Sequence, residues 1–424
     1  MLLTQKKYTQ EAMDIAAKVS KEVELRHAKW LASMNHQVDQ SQVDKLLSLQ
    51  GRYCDDVIFS EEDRITRNQR ILLICEQERV KEKRQIVEDK QKTLQKVISD
   101  VSKVADRMLM KKLETLPIDR LSSNIPPFEL FASFAYSPSL SFSKQTGLAG
   151  DSHQLSSTII ELIENSRLRE RGSAAKISSD VRVAISRLGI ENCRKLFPVL
   201  MARPIMRWSD SNTKILTPKF WQQLVLTANI TKMRLESAGV KDSDCGVLIG
   251  TLRSLGSIVL INHFTDTFED ALVKVMLNYR KTNRKDEYYA CADVRPNSAF
   301  LPKVIVDMEA AVTKRLMESF NWPKSAEHIK VAILEDIENK PILERSTYGA
   351  AFAQARAYAI YDSLSRSEVF AEKHKPFWFA NVQISGEALS SIRMRAPGKM
   401  TLMIYKSYDV TKLQATKSGR FFIA

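Results

Sequence analysis

The fold is decided by two segments in the middle of the chain, FWQQLVLTANITKMRLES at residues 220–237 and GTLRSLGSIVLINHF at residues 250–264. Neither shows the strict apolar and polar alternation of a half-buried strand, and each is longer than a typical strand. The chain contains only 13 Gly and 13 Pro among 424 residues, and strand-like runs are few before the C-terminal tail. We therefore expect a mainly α protein.

The composition is that of an ordinary globular protein, with 44% hydrophobic and 27% charged residues. A chain of this length can form two or three domains around a sizeable core. The cysteines are odd in number, lie far apart and never form a CxxC pair, so we expect free thiols and no structural zinc. They are Cys54, Cys75, Cys193, Cys245 and Cys291.

Charge and hydropathy bear on location and partners. No segment approaches the roughly 18 uncharged apolar residues of a membrane span, and acids and amides replace a signal-peptide core in MLLTQKKYTQEAMD. We expect a soluble, cytoplasmic protein. The net charge of +14 makes nucleic acid, an anionic lipid or an acidic protein an electrostatically plausible partner. General solubility is the simpler explanation of this charge.

Residues 1–116 are predicted to form a helical, coiled-coil-like region. The first segment has apolar residues at helical spacing, namely Tyr8, Ala12, Ile15, Ala16, Val19, Val23 and Trp30. A second, densely charged segment begins near Ser60 and ends near Leu116, before Pro117.

The later half of the second segment carries a short heptad seam, which predicts a partner helix. The seam consists of Leu94, Ile98, Val101, Ala105 and Met108, widened by Val97 and Val104. Two partners are possible. The seam packs on the first helix as an antiparallel hairpin, or it pairs with a second chain in a homodimer.

Two changes in composition divide the rest of the chain. Residues 117–370 are predicted to form one helical domain with a Ser-, Pro- and Gly-rich insertion at about 137–156. Residues 371–424 form a basic extension with nine Lys or Arg against three acids. The Pro397-Gly398 turn and the apolar FFI after Gly419 indicate a few short strands there.

Three segments read together resemble the HDOD family of bacterial helical domains, which are related to the HD phosphohydrolases. They are IELIENSRLRERGSAAKISSDVRVAISRLGIENCRKL from Ile160, the pair of segments quoted above, and AVTKRLMESFNWPKSAEHIKVAI from Ala311. Their order and spacing carry the resemblance, which covers roughly residues 157–340. It implies an all-helical scaffold and a role as a signalling output module.

The enzyme relatives imply a test for a metal site. Phosphate-ester hydrolysis by that fold uses His and Asp side chains to hold a divalent cation, with an adjacent His-Asp pair at its centre. This chain has no His-Asp dipeptide, and Arg253 and Ser254 stand where the pair would be. Gln223 stands where relatives place an earlier histidine. Because a guanidinium stays protonated and ligates no metal, we expect no metal, no cofactor and no catalysis.

Other candidate ligands and motifs are weak. Only His263 and His328 lie within the region of resemblance, and both are expected at helix ends or on the surface. Asp307 and the Glu335-Asp336 pair lie near places where the superfamily carries later ligands. The sequence has no Walker A loop, no GxGxxG after a strand and no GxSxG elbow.

The sequence therefore favours a non-enzymatic bacterial signal-transduction protein that acts through protein–protein interaction, with an unknown signalling partner. One alternative is a sensor that binds a nucleotide or another anion in the vestigial pocket of Gln223, Arg253 and Ser254, because guanidinium pairs with phosphate and carboxylate. A further alternative is nucleic-acid binding through the basic tail, where aromatic residues alternate with Lys and Arg.

Overall fold

A computed structural model describes most of the chain. The described residues are 2–4, 6–33, 74–121, 125–136, 142–151, 153–165, 180–206, 208, 211–296, 298–398, 400–404 and 419–423. Nearly all of them are helical, which confirms the mainly α class. The start expected near Ser60 lies outside the described residues.

Nine helices are described before residue 216. They are α1 (Gln10–Ala32), α2 (Ile74–Thr115), α3 (Ile118–Leu121), α4 (Phe128–Ala135), α5 (Phe142–Asp151), α6 (His153–Asn165), α7 (Val181–Leu188), α8 (Ile190–Ala202) and α9 (Ser211–Lys214). A 3-10 turn, Arg203–Met206, follows α8.

Ten helices are described after residue 216, joined in places by 3-10 turns. They are α10 (Thr217–Ser237), α11 (Cys245–Arg253), α12 (Leu255–Asn262), α13 (Phe264–Lys281), α14 (Lys285–Ala290), α15 (Leu301–Ser319), α16 (Glu327–Ile337), α17 (Thr347–Arg366), α18 (Lys375–Asn381) and α19 (Gly386–Met394).

Helix α1 packs against the core along one face. The Thr9 side chain caps its first turn, and its buried face includes Val19, Val23 and Trp30. It packs against α15, α17 and α18, which lie some 300 residues later in the sequence. Tyr8 and Ile15 are exposed, so the apolar pattern identified the helix but overstated its buried face.

The seam of α2 packs inside the chain, on α13, α14 and α15. Its fully buried residues recur every fourth position, at Val97, Val101, Ala105, Leu109 and Leu113. Because α1 and α2 each pack mainly on later helices, the hairpin alternative for these two helices is wrong. In a helix of 3.6 residues per turn four residues span about 400°, so this buried line winds about 40° per step around α2, which distinguishes it from the 3.5-residue repeat of a heptad seam.

The centre of the fold is the contact of α10 with α11 and α17. Gly250 permits the close approach, since a Cβ atom there would lie 2.5 Å from the Cα atom of Ala228. Gly246, one turn earlier, faces the backbone of Lys232 in the same way. Because glycine has no Cβ atom, the backbones of α10 and α11 can approach this closely at Gly246 and Gly250.

One described stretch, Cys245–Lys281, is long and apolar enough to cross a membrane by composition alone. The expectation that no segment approaches that length is therefore wrong. The stretch is interrupted at Ser254 and His263, and 89% of its most apolar window is buried inside the protein. It forms the core helices α11 to α13.

Two strands follow α19, β1 (Met400–Ile404) and β2 (Gly419–Ile423). They pair antiparallel, with Met400 opposite Ile423 and Ile404 opposite Gly419. Residues 405–418, and all side chains after residue 398, lie outside the described part of the chain. Nucleic-acid binding by the basic tail therefore stays a prediction.

Candidate functional site

A cavity of about 150 Å³ lies where α1 crosses the central helices. Helices α10, α11, α12, α15, α16 and α17 supply the rest of its wall. Its polar lining residues are Glu24, His27, Gln223, Thr227, Arg253, Ser254, Ser257, Glu309, Asp336, Asn339 and Arg356. The volume far exceeds the roughly 10–15 Å³ that one water molecule needs.

The three residues singled out from the sequence lie together in this wall. The Gln223 amide accepts a hydrogen bond from Ser363 Oγ at 3.1 Å and donates one to Thr227 Oγ1 at 3.4 Å. Ser254 Oγ donates to the carbonyl oxygen of Gly250 at 3.0 Å. Gln223 and Ser254 are thus satisfied by their own surroundings.

Arg253 is held by two acids. Its Nε atom donates to Asp336 Oδ2 at 2.9 Å, and Nη1 lies 3.1 Å from Glu309 Oε1. Ser257 Oγ donates to the same Glu309 oxygen. The end of α11 is thereby joined to α15 and α16 through a buried guanidinium.

Asp336 is the most strongly compensated carboxylate. Arg345 Nη1 contacts its second oxygen, Oδ1, at 3.2 Å. Burial alone would raise the pKa of Asp336, but the positive charges of Arg356, Arg253 and Arg345 outweigh it and lower the pKa to about 2. The carboxylate is therefore ionised at neutral pH, and each of its oxygens accepts from an arginine.

The residues of this site do not fit a divalent cation. A guanidinium lies between Asp336 and Glu309, donates to both, and cannot act as a ligand. Within the described ranges, no group of three His, Cys, Asp or Glu side chains is placed to hold a metal ion. Asp307 is exposed, and Glu335 accepts from the backbone and side chain of Ser346.

A second ion pair lies in the same cavity. Arg356 Nη1 of α17 contacts Glu24 Oε1 of α1 at 2.8 Å. Burial would lower the pKa of Arg356, but the charges of Glu24, Asp336 and Glu309 raise it above its ordinary value. The arginine is therefore permanently charged.

His27 is buried beside this pair, one turn after Glu24. Its ring stacks on Trp30 with centroids 5.9 Å apart, and its Nε2 atom has no hydrogen-bond partner among the described residues. Burial and then the charge of Arg356 lower its pKa to about 4, against smaller opposing effects of Glu309 and Gln223. His27 is thus neutral at pH 7.

The other two histidines considered from the sequence lie outside the cavity wall. His263 is half-buried where α12 ends, close to Lys112, and burial followed by that charge lowers its pKa. His328 lies in the first turn of α16, with its ring centroid 4.5 Å from that of Tyr348. Both therefore sit at helix ends, as expected.

Sequence reasoning missed five residues of this network: Glu24, His27, Glu309, Arg345 and Arg356. A signal for one was present. His27 continues the i, i+4 line of Val19 and Val23 on the buried face of α1, where a polar side chain is unusual. The others lie on faces whose burial depends on packing between distant segments.

Part of the chain matches a known protein family. The family model of the HDOD domain matches residues 136–290, which confirms the resemblance drawn from the sequence. Of the polar lining residues, five lie within this match, from Gln223 to Ser257. The remaining six come from the flanking helices, so the cavity is built by the whole chain.

Among solved structures, the fold is similar to a proposed metal-dependent phosphohydrolase from Shewanella amazonensis SB2B, at 10% identity and a TM-score of 0.33. The similarity covers 67% of this chain and 99% of that one. The search of curated proteins found no match.

Proposed function

We propose that this chain, whose residues 136–290 match the HDOD domain, is a non-enzymatic signalling protein that acts by binding another protein. The observation that carries the proposal is the Arg253 guanidinium between Asp336 and Glu309. In a hydrolase of the related fold, carboxylates at such a place would hold a cation. Here they neutralise an arginine, which supports a structural role for the former site.

The stability that the ion pairs around Arg253 give to the core also supports the proposal. Removing one partner of a buried ion pair leaves an uncompensated charge, which typically costs about 3–5 kcal/mol. Arg253, Asp336, Glu309 and Arg345 are therefore interdependent parts of the core. A site fixed in this way serves a rigid scaffold better than a reaction that needs exchangeable water and metal.

The N-terminal half of α2 offers a surface for the partner. Every described side chain in residues 81–92, which we call the α2 tip, is exposed, including Ile86 (55%) and Val87 (60%). Just after the tip, Leu94 is half-buried against the core, and Lys96 lies 3.5 Å from Glu287 of α14. At 1.5 Å per residue, Ile86 then lies about 15 Å further along the helix.

A partner would stabilise this tip. Isolated helical segments are marginal in water and gain most of their stability from packing an apolar face. Ile86 and Val87, about 100° apart around the helix, are two exposed branched side chains that such a partner would cover. We propose a signalling protein as its occupant, and a second copy of the chain is the alternative.

Partner capture tests the interaction. Full-length protein is used as bait in an extract of its native cells, because α1 and α2 are core elements and their deletion would unfold the chain. The double variant Ile86→Ser, Val87→Ser is expected to lose the captured protein. Leu343→Ser is the matched control, since Leu343 is 58% exposed on a distant 3-10 turn. Equal capture by both variants contradicts the α2 tip as the surface.

Two further measurements separate the alternatives. Sedimentation of the pure protein detects a homodimer, and a dimer that the double variant dissociates would replace the heterologous partner. A phosphodiesterase assay with Mn²⁺ and bis(p-nitrophenyl) phosphate tests the absence of catalysis. Turnover that Asp336→Asn abolishes would overturn the non-enzymatic proposal.

A further inference from the structure

Six charged side chains balance one another at the cavity, five of them in its lining and the sixth, Arg345, in contact with Asp336. Three carboxylates, Glu24, Glu309 and Asp336, meet three guanidiniums, Arg253, Arg345 and Arg356. Each guanidinium contacts at least one carboxylate. A ligand carrying charge can therefore enter only if one of these partners leaves.

The pairs differ in how readily they can open. The Arg253 and Asp336 side chains are 8% and 6% exposed, whereas those of Arg356 and Glu24 are 26% and 37% exposed. Asp336 has two arginine partners and Glu309 has Arg253 and Ser257. Among the residues that the structure describes, the Glu24 carboxylate contacts Arg356 alone. Glu24 is therefore the carboxylate at the mouth of the cavity and the easiest to displace.

A second feature points to a ligand at this place. His27 is 9% exposed, lines the same cavity one turn from Glu24, and leaves Nε2 without a partner among the described residues. A buried polar atom without a partner is costly, and such atoms usually meet a water molecule or a ligand. Arg356 is close enough to His27 to influence its titration.

We propose that this cavity binds a small monoanionic carboxylate on Arg356, that His27 Nε2–H donates a second hydrogen bond to it, and that Glu24 is a built-in competitor. Guanidinium offers paired N–H donors that match the two oxygens of a carboxylate. The Glu24 side chain occupies that position on Arg356. On binding, the carboxylate of the ligand replaces the Glu24 carboxylate on Arg356.

The charge balance selects a single negative charge. When Glu24 turns outward, the inner cluster keeps two carboxylates and three guanidiniums, so its net charge is +1. A monoanion restores neutrality, whereas a dianion leaves an excess negative charge beside Asp336 and Glu309. The same count disfavours Arg253 as the anion site, because both of its carboxylates are buried partners.

Carboxylate binding in the cavity is distinct from partner binding at the α2 tip and is tested by a different measurement. Acetate is titrated into the full-length protein by calorimetry, with acetamide as its uncharged counterpart and sulfate as a dianion. Glu24→Gln removes the competitor at constant size and is expected to tighten acetate binding about tenfold or more. Acetamide is expected not to bind, and sulfate is expected to bind about tenfold more weakly than acetate.

A matched control exists on the same helix. Glu22 pairs with Arg26 at 2.7 Å and does not line the cavity. Glu22→Gln changes the net charge as Glu24→Gln does and is expected to leave acetate affinity unchanged. Arg356→Met is expected to abolish binding, and Arg356→Lys to weaken it because the paired donors are lost.

Three results would overturn the proposal. They are no acetate binding to either wild type or Glu24→Gln, an equal gain from Glu22→Gln, and sulfate binding as tightly as acetate. The comparison of Glu24→Gln with Glu22→Gln stands even where Arg356→Met fails to fold. Circular dichroism of each variant establishes that it is folded.

Discussion

The Nε atom of Arg253 donates a hydrogen bond to Oδ2 of Asp336 at 2.9 Å, although 83 residues separate the two in the sequence. One residue lies inside the region that matches the HDOD domain and the other beyond it. The contact therefore ties the matched region to the helices that follow. Loss of this contact should therefore lower the stability of the whole chain.

Replacing Arg253 with Met should destabilise the protein by about 3–5 kcal/mol, because Asp336 and Glu309 would be left buried with too little positive charge. Urea unfolding followed by circular dichroism measures the change. Arg107→Met, at an exposed position of α2, should change stability by less than about 0.5 kcal/mol. A small effect of Arg253→Met would mean that water compensates the two acids.

The stability of the protein should fall as the pH is lowered from 6.5 to 4. Burial lowers the pKa of His27 to about 4 in the folded chain, below the value near 6.5 of an unperturbed imidazole. Between these values the unfolded chain binds a proton that the folded chain does not, so acid favours unfolding. A pKa shift from 6.5 to about 4 lowers the free energy of unfolding by about 3 kcal/mol once the pH has fallen below both values.

The variant His27→Gln isolates this contribution. It should lose about 3 kcal/mol less stability than wild type over the same pH interval. His153→Gln, which removes an exposed histidine, should follow the wild-type pH profile. Parallel profiles for wild type and His27→Gln would show that His27 takes up its proton without unfolding the chain.

Replacing Gly250 with Ala should destabilise the protein by about 1–3 kcal/mol or more, because the new methyl group would lie 2.5 Å from the Cα atom of Ala228. Thermal unfolding measures the loss. Gly147→Ala, in α5, meets nothing within 4 Å and should stabilise by up to about 1 kcal/mol through helix propensity. Equal effects of the two substitutions would argue against the close helix contact.

Lys219 should anchor the end of α1. Its Nζ atom donates to the carbonyl oxygens of Trp30 at 2.7 Å and Ser33 at 2.6 Å, and burial lowers its pKa to about 8. Lys219→Met should cost about 2–3 kcal/mol in urea unfolding, as expected for a hydrogen-bonding charged group. Ser298→Ala removes a neutral bond to Ala32 and should cost about 1 kcal/mol.

The α2 seam should stabilise the single chain. Val101→Ala removes buried methyl groups and should cost about 2 kcal/mol, whereas the exposed Val87→Ala should cost almost nothing. Both values should be the same at low and high protein concentration, since the seam packs on α13, α14 and α15. A cost for Val101→Ala that grows at low concentration would indicate that a second chain covers the seam.

Local sequence determined the helices of this protein and the resemblance of residues 136–290 to the HDOD domain. Helical spacing of apolar residues predicted α1 and the end of α2 before Pro117, because 3.6-residue periodicity and a missing proline N–H act within one segment. The substitution of Arg253 and Ser254 for a His-Asp pair was equally visible in the sequence.

Tertiary structure alone decided what these residues do. The sequence left open whether Arg253 faces an anion or an internal carboxylate, and the answer came from Asp336 and Glu309, which the fold brings beside it. It likewise decided that α2 packs on later helices and that α1 closes the cavity with Glu24 and His27. Such contacts join residues from opposite ends of the chain, so their partners depend on the complete packing, whereas periodicity and capping depend on neighbours a few residues away.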